Sequence, residues 1–243
     1  MPKTLPNELL YIPNADKAFH EKWTKNRNPL DFPHPFSLCA IGPVNSGKST
    51  VLKNILIRCL PSFEKLFIIH CNGKDTKEYD DLVSGIFLDD FPDPSFWDGN
   101  KKKTMVIIDD VALKSLNKIQ NKNLDRMMGY SSTHSNLSIC ICAQDAFQIP
   151  PIFRRMANIF VLWKPRDLDS LSTVARKSSL PSKEMNAIFS QLMTERRDSL
   201  WIDLTKDSPF PLRKNGFEII IKTEESKQTK KEADSLDKFK TQQ

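Results

Sequence analysis

The sequence predicts an α/β protein in which a central, mostly parallel sheet is flanked by helices. Five apolar runs have the length of strands: 36–41, 66–70, 104–109, 137–143 and 159–163. These runs are continuously apolar instead of alternating with polar residues, which indicates strands that are buried on both faces. Helical or loop segments separate the runs. The predicted architecture is therefore a sheet with helices packed on both of its faces.

The remaining elements fit around this sheet. Three more segments are predicted as helices: 114–130, 167–177 and 183–194. Near the C-terminus, residues 199–204 and 216–222 are predicted to pair as a β-hairpin that turns over residues 209–215.

The composition favours one globular domain between two irregular ends. Residues 1–35 are rich in proline and polar residues, and we predict an irregular arm there. Residues 36–222 carry the predicted strands and helices, and a chain of 243 residues is long enough to bury a core. Residues 223–243 are lysine-rich and acidic, with no apolar pattern, and are predicted to be disordered.

Charge and apolar patterning limit where the protein acts. The net charge of +6 suggests an acidic partner. The sequence has no N-terminal signal peptide and no apolar stretch of about 18 residues. We therefore expect a soluble, intracellular protein that is not secreted and has no membrane partner.

The cysteines give little sign of a metal centre. They are odd in number and lack the spacing of metal ligands: Cys39, Cys59, Cys71, Cys140 and Cys142. Cys39, Cys140 and Cys142 lie in predicted strands, and we expect them to be small buried apolar residues in a reducing compartment. A zinc site that includes His70 or His134 is the alternative.

The most specific motif is Gly-x-x-x-x-Gly-Lys-Ser, which follows the first predicted strand directly. Its glycines let consecutive backbone N–H groups face phosphate oxygens. Lys48 is expected on the β- and γ-phosphates of ATP, and the Ser49 hydroxyl on Mg²⁺. Apolar residues then recur at helical spacing until Pro61, and this helix adds its N-terminal dipole to the anion site. The predicted phosphate-binding loop (Walker A) consists of Gly42, Pro43, Val44, Asn45, Ser46, Gly47, Lys48, Ser49 and Thr50.

Two carboxylates stand at the end of the apolar run 104–109. A buried strand that ends in aspartate places its charge beside the phosphate loop. Asp109 is therefore predicted to hold Mg²⁺ through water (Walker B), with a plain strand-ending turn as the alternative. Asp110 is the candidate base that orients and polarises the attacking water, although many enzymes of this kind have glutamate there.

A polar side chain follows the next run, because 137–143 ends at Gln144. At a strand tip, such a side chain can sense the γ-phosphate or position the lytic water. This order of elements is typical of motor-type ATPases of the additional-strand (ASCE) class of P-loop NTPases, and differs from small kinases and GTPases. A loop hydrogen bond is the alternative role for Gln144.

Residues 131–158 contain a turn with His134, a hydrophobic strand that ends in Gln144, and Pro-x-x-x-Arg before another hydrophobic strand. This pattern resembles the DNA-packaging ATPases of the FtsK/HerA superfamily, which occur in poxviruses, other large DNA viruses, virophages and polinton-type elements. The resemblance covers about residues 36–222, and the chain length is similar to that of virophage or polinton versions. Many relatives have arginine before the histidine of the turn, where this chain has Thr133.

The resemblance implies a homo-oligomeric ring, a pentamer or hexamer, that uses ATP to thread double-stranded DNA into a preformed viral capsid at a procapsid vertex. It places the protein in the virion or in the host cytoplasm or viral factory. It also implies an arginine donated in trans by the neighbouring subunit, an effect of about 10³–10⁵ in rate. Arg154 matches the Pro-x-x-x-Arg position, Arg155 adjoins it, and Arg126 is the other candidate. An ordinary ion pair is the alternative role for Arg154.

Three other functions are compatible with parts of this pattern. A DNA helicase or partition-type ATPase belongs to the same enzyme class, but it uses ATP for a different action on DNA than packaging. A small-molecule kinase requires an acceptor pocket and a lid with clustered arginines. A nucleotide-regulated adaptor binds ATP without hydrolysing it, and the combination of Lys48, Asp109 and Gln144 argues against that.

Overall fold

The computed structural model describes residues 32–59, 61–79, 82, 85–165, 168–178, 180–205 and 211–220. The predicted N-terminal arm, apart from residues 32–35, lies outside these ranges, and so does the predicted tail 223–243.

Nine strands within the described residues form one sheet. They are β1 (Ser37–Ile41), β2 (Lys65–His70), β3 (Gly85–Leu88), β4 (Thr104–Asp109), β5 (Leu137–Ala143), β6 (Ile159–Trp163), β7 (Ser199–Asp203), β8 (Leu212–Lys214) and β9 (Glu218–Ile219). Their order is β3-β2-β4-β5-β1-β6-β7-β8-β9. The first six pair in parallel, and β7, β8 and β9 add antiparallel strands at one edge. The predicted mostly parallel sheet is confirmed.

The helices are α1 (Lys48–Arg58), α2 (Lys118–Arg126), α3 (Ser132–His134), α4 (Pro151–Met156), α5 (Leu168–Lys177) and α6 (Ser182–Gln191). A π-helical turn, Met127–Ser131, joins α2 to α3. Short 3₁₀ segments lie at Gly73–Asp75, Pro94–Trp97, Leu113–Ser115 and Ala146–Gln148. Across the described ranges, no helix combines the length and apolar character needed to cross a bilayer.

The sheet is buried on both faces, as its continuous apolar runs predict. Successive residues of β1 show this directly, because side chains alternate between the faces of a strand. Cys39 belongs to the apolar cluster on one face, whereas Leu38 and Ala40 belong to the cluster on the other. Helix α1 covers the second face with Leu52 and Ile55, both fully buried.

Two predicted elements need correction. The helix predicted over 114–130 begins at Lys118, because Asn117 and Gln120 form a capping box that fixes its N-terminus. The predicted hairpin partner of 199–204 was also wrong. Strand β8 pairs with β7, and β9 follows β8 through a turn. Asn215 and Gly216 both have positive φ in that turn, which is the behaviour of an Asn-Gly hairpin turn.

Candidate nucleotide-binding site

The predicted phosphate loop joins β1 to α1, so it lies at the carboxyl end of the parallel strands. Gly47 adopts φ +104° and directly precedes α1, a conformation that favours glycine. At Gly42, a Cβ atom would lie 2.8 Å from Trp163 Cβ and 2.9 Å from Ser46 Oγ. Only glycine therefore fits this position without moving its neighbours.

The loop leaves polar groups turned towards a cavity. Lys48 Nζ donates hydrogen bonds to the carbonyl oxygens of Gly42 (2.9 Å) and Pro43 (3.1 Å), which keeps the ammonium over the loop. Ser46 Oγ is buried, and none of the described residues offers it a hydrogen-bond partner. Residues 44–50 line the cavity, whose volume is about 1130 Å³. The space is sufficient for a nucleotide, since ligand cavities are typically about 300–1,000 Å³.

The structure brings the two predicted Mg²⁺ ligands together. Asp109 ends β4 and is buried, and its Oδ2 lies 3.3 Å from Ser49 Oγ. The same Oδ2 accepts a 2.6 Å hydrogen bond from the hydroxyl of Tyr79. Burial raises the pKa of Tyr79, and the neighbouring Cys142 and Asp109 raise it further. The tyrosine therefore keeps its proton at neutral pH and remains a donor to Asp109.

Glu78 is a site residue that the sequence analysis missed. Its Oε2 lies 2.9 Å from Ser49 Oγ, and its side chain lines the same cavity. Glu78 comes after β2, the strand next to β4. The carboxyl ends of neighbouring parallel strands meet at one edge of a sheet. That rule points to the acidic residues after the second apolar run, Asp75 and Glu78 among them, and the structure shows that Glu78 is the one at Ser49.

Asp110, the candidate base, lies at the mouth of the cavity and is exposed. Its φ of +52° is unusual for a residue with a side chain, and such strain concentrates at functional sites. The Asp110 Oδ2 accepts a 3.4 Å hydrogen bond from Cys71 Sγ, while its backbone N–H donates to Asp109 Oδ1 at 3.0 Å. Its carboxylate is thus close to the site and is turned towards the end of β2.

Gln144 lies where predicted, at the tip of β5, exposed and lining the cavity. Its backbone N–H donates to Gln148 Oε1 at 2.9 Å. Gln148 lines the cavity as well, so two amide side chains face it from the β5 side.

The three candidate arginines lie away from this cavity, whose lining among the described residues includes Arg197 instead. Arg154 is half-buried, and its Nη1 donates to the carbonyl of Ala146 at 2.8 Å. Arg155 is exposed. Arg126 is exposed too, with its guanidinium 4.7 Å from the centroid of the Tyr130 ring. The structure therefore holds Arg154 within its own subunit and leaves the other two candidates accessible.

Comparison with known proteins places the fold. No family model matches the chain, and no curated protein matches it either. The crystal structure of B204, the DNA-packaging ATPase from Sulfolobus turreted icosahedral virus, is similar at 19% identity and a TM-score of 0.53. That similarity covers 70% of this chain and 93% of that chain.

Two structures of the genome packaging NTPase B204 from Sulfolobus turreted icosahedral virus 2 are also similar. The complex with AMPPCP has 18% identity and a TM-score of 0.52, covering 74% of this chain and 96% of that one. The complex with ATPγS has 16% identity and a TM-score of 0.51, covering 77% and 98%. This chain therefore has the fold of these viral genome-packaging ATPases, a P-loop fold of the additional-strand class in which β5 lies between β1 and β4.

Proposed function

We propose that the protein is a Mg²⁺-dependent ATPase that translocates double-stranded DNA and packages a viral genome. One observation carries the proposal. Lys48, Ser49 and Asp109 converge on one cavity at the carboxyl edge of the sheet, and Gln144 reaches the same cavity from β5. A phosphate cradle, a cation site and a polar residue at the neighbouring strand tip are the parts needed to hydrolyse a nucleoside triphosphate.

The donor set fits both ligands. The Ser46 hydroxyl is buried and has no hydrogen-bond partner within the described part of the chain. This hydroxyl and the Lys48 ammonium lie at the loop, where a triphosphate chain would be held. Ser49, Asp109 and Glu78 offer oxygen atoms only, which is the donor type that Mg²⁺ prefers. Bound Mg²⁺ would neutralise charge on the phosphate oxygens.

The proton-accepting role falls to the carboxylates at the mouth of the cavity. Asp110 remains our candidate base, and its exposed side chain lines the cavity. Glu78 lies against Ser49, so its first role is to complete the cation site. Gln144 would hold the attacking water by its amide group, because the tip of β5 lies between the ends of β1 and β4.

The work on DNA rests on the shared fold and on charge. The B204 proteins that have this fold are genome-packaging enzymes of two viruses. The chain carries a net charge of +6, which suits contact with a phosphate backbone. We propose a ring of five or six subunits docked on a capsid vertex, acting in the virion or the infected cell. In that ring, exposed Arg155 or Arg126 would complete the neighbour's site, because Arg154 is bonded within its own chain.

A triplex-displacement assay tests this function directly. The assembled protein, ATP and a linear duplex carrying a third strand are mixed, and release of that strand reports movement along duplex DNA. We expect release with ATP and none with Lys48→Ala, while Lys118→Ala, an exposed change on α2, retains wild-type rates. Unwinding of the duplex itself would favour a helicase, and ATP turnover without any strand release would contradict translocation.

A further inference from the structure

A second group of potential metal ligands lies beside the ATP site, where β2 and β4 end. The register of these paired strands puts His70 opposite Asp109. Cys71 follows His70, and Asp110 follows Asp109, so a His-Cys pair adjoins an Asp-Asp pair. The sequence offered His70 as a possible zinc ligand, but its spacing did not connect Cys71 with Asp110, which is 39 positions away and follows another strand.

The distances within this group are close to those between the ligands of a bound metal ion. Cys71 Sγ lies 3.4 Å from Asp110 Oδ2 and 3.9 Å from His70 Nδ1, and the ligand atoms of all three residues lie within 4.8 Å of one another. Zinc binds sulfur at about 2.3 Å and nitrogen or oxygen at about 2.0–2.2 Å, so tetrahedral ligand atoms are about 3.5 Å apart. Little movement is needed to bring the three ligands to one ion.

The chemistry of the group selects the ion. Thiolate and imidazole favour Zn²⁺ and similar transition metals over Mg²⁺. His70 Nδ1 accepts a 3.1 Å hydrogen bond from the backbone N–H of Asn72, and a cation bound at this nitrogen would replace that hydrogen bond. Cys71 is the exposed member of the five cysteines, and the other four are buried. His70 and Cys71 line a cavity of about 510 Å³, whose charged lining residues are Asp75, Asp89 and Lys74.

We propose that His70, Cys71 and Asp110 form a binding site for a zinc-class divalent cation, and that filling it stops ATP hydrolysis. Binding converts the Cys71 thiol to a thiolate, the released proton goes to solvent, and the hydrogen bond to Asp110 is replaced by coordination. A fourth position stays open to water. The inhibitory half rests on the proposed function, because it requires Asp110 to act as the base.

The ion and Mg²⁺ would be held by different residues. Ser49, Asp109 and Glu78 offer oxygen ligands on the side of the phosphate loop. The proposed site draws on the neighbouring carboxylate, Asp110, and on the end of β2. Asp110 therefore links the two: it serves hydrolysis when it is free, and the second cation when that ion is bound.

Titration with Co²⁺, a spectroscopic substitute for Zn²⁺, tests the site without reference to activity. The full chain should develop a thiolate-to-cobalt charge-transfer band in the near ultraviolet with one ion bound per chain. Cys71→Ser should abolish the band, and His70→Asn should weaken Co²⁺ affinity at least ~10-fold. Asp125→Asn, an exposed change on α2, is the matched control and should titrate like wild type. Melting curves would show that each variant is folded.

Two results would overturn the site: no charge-transfer band in the wild type, or a band that survives in Cys71→Ser. The inhibitory half is tested by adding Zn²⁺ to the Mg²⁺-dependent ATPase reaction. We expect at least ~10-fold inhibition of wild type and little of Cys71→Ser; equal inhibition of both would refute it. A band in a protein without ATPase activity would leave the site standing and remove the proposed function instead.

Discussion

Ser49 follows β1 and Asp109 ends β4, two strands separated by β5, and yet Ser49 Oγ lies 3.3 Å from Asp109 Oδ2. Two strand spacings amount to about 10 Å. The loop after β1 therefore reaches over the end of β5 to meet Asp109. This reach explains why Gln144, at the tip of β5, lines the same cavity. The site depends on strand order, and the additional strand between β1 and β4 is part of it.

Removing the Lys48 ammonium should abolish turnover. We predict that Lys48→Ala lowers kcat for ATP at least ~100-fold, because a positioned cation at the phosphates contributes that much or more. The fold should be retained, since the hydrogen bonds of Lys48 Nζ to Gly42 and Pro43 lie within the loop itself. Steady-state ATPase rates, with Lys118→Ala as the control, check this. A near-normal ATPase rate in Lys48→Ala would contradict the assignment of this loop as the phosphate-binding loop.

Variants of Asp110 and Glu78 should differ in how their ATPase activity depends on Mg²⁺. Asp110→Asn is expected to lower kcat ~10²–10⁴-fold even at saturating Mg²⁺, as loss of a general base does. Glu78→Gln, which changes the group 2.9 Å from Ser49 Oγ, should raise the Mg²⁺ concentration needed for half-maximal activity ~10-fold or more. Mg²⁺ titrations of the ATPase rate distinguish them, with exposed Glu195→Gln as control. Identical effects of both changes would show that the roles are not divided in this way.

The arginine candidates should differ in stability and in complementation. Arg154→Ala removes a hydrogen bond to Ala146 and the packing of a half-buried side chain. The free energy of unfolding should therefore fall by about 1–3 kcal/mol. Arg155→Ala changes an exposed side chain and should leave the free energy of unfolding within about 0.5 kcal/mol of wild type. Arg126→Ala also loses the contact with the Tyr130 ring and should lower the free energy of unfolding by about 0.5–1 kcal/mol. Urea unfolding measures this difference.

The trans arginine should be revealed by mixing subunits. A variant that lacks the arginine donated in trans (the arginine finger) keeps an intact phosphate loop, and Lys48→Ala keeps an intact arginine finger. Activity should therefore return when Lys48→Ala is mixed with Arg126→Ala or Arg155→Ala, whichever carries the finger. If Arg154→Ala were the one arginine variant that regained ATPase activity on mixing with Lys48→Ala, the proposal that Arg154 serves its own subunit would be contradicted.

The buried thiols should make the protein less stable at high pH. Burial raises the pKa of Cys59 to about 11 and also raises the pKa values of Cys39, Cys140 and Cys142. Above about pH 9 the unfolded chain loses thiol protons that the native chain keeps, so stability falls as pH rises. In that range each thiol lowers the free energy of unfolding by about 1.4 kcal/mol per pH unit. Below that range the stabilisation from each raised pKa is fully present.

Urea unfolding under reducing conditions between about pH 8 and about pH 11 measures this slope. Cys59→Ala should make the fall in the free energy of unfolding with pH less steep by the contribution of one thiol, ~1.4 kcal/mol per pH unit, up to about pH 11. A stability that stays constant over the range would contradict the assigned burial of the thiol groups.

The sheet was predictable because its strands carry their own signal. Strand β4 matches its predicted range, as do β5 and β6, since continuous apolar runs bounded by polar residues are hard to mistake. Strand β3 escaped prediction, because Gly85–Leu88 is a four-residue edge strand with only partial burial. The β8–β9 turn was also missed, although Asn215-Gly216 is a strong hairpin signal.

Some residues of the site could likewise be predicted from the sequence, and others could not. Its loop residues follow one another in sequence, so the motif alone placed Lys48 and Ser49. Glu78 and Tyr79 reach the site from another strand's connection, and only the pairing of β2 with β4 brings them there. The restraint on Arg154 was equally invisible, because it is a bond to a backbone carbonyl rather than to a charged partner.

The central claim is that ATP hydrolysis at this site is coupled to duplex DNA. Its most direct test is the steady-state ATPase rate of the assembled protein, with and without linear double-stranded DNA, in wild type and Asp110→Asn. We predict turnover that DNA stimulates severalfold in the wild type and that collapses in Asp110→Asn under both conditions. A rate that is indifferent to DNA in a confirmed assembly would contradict the motor function.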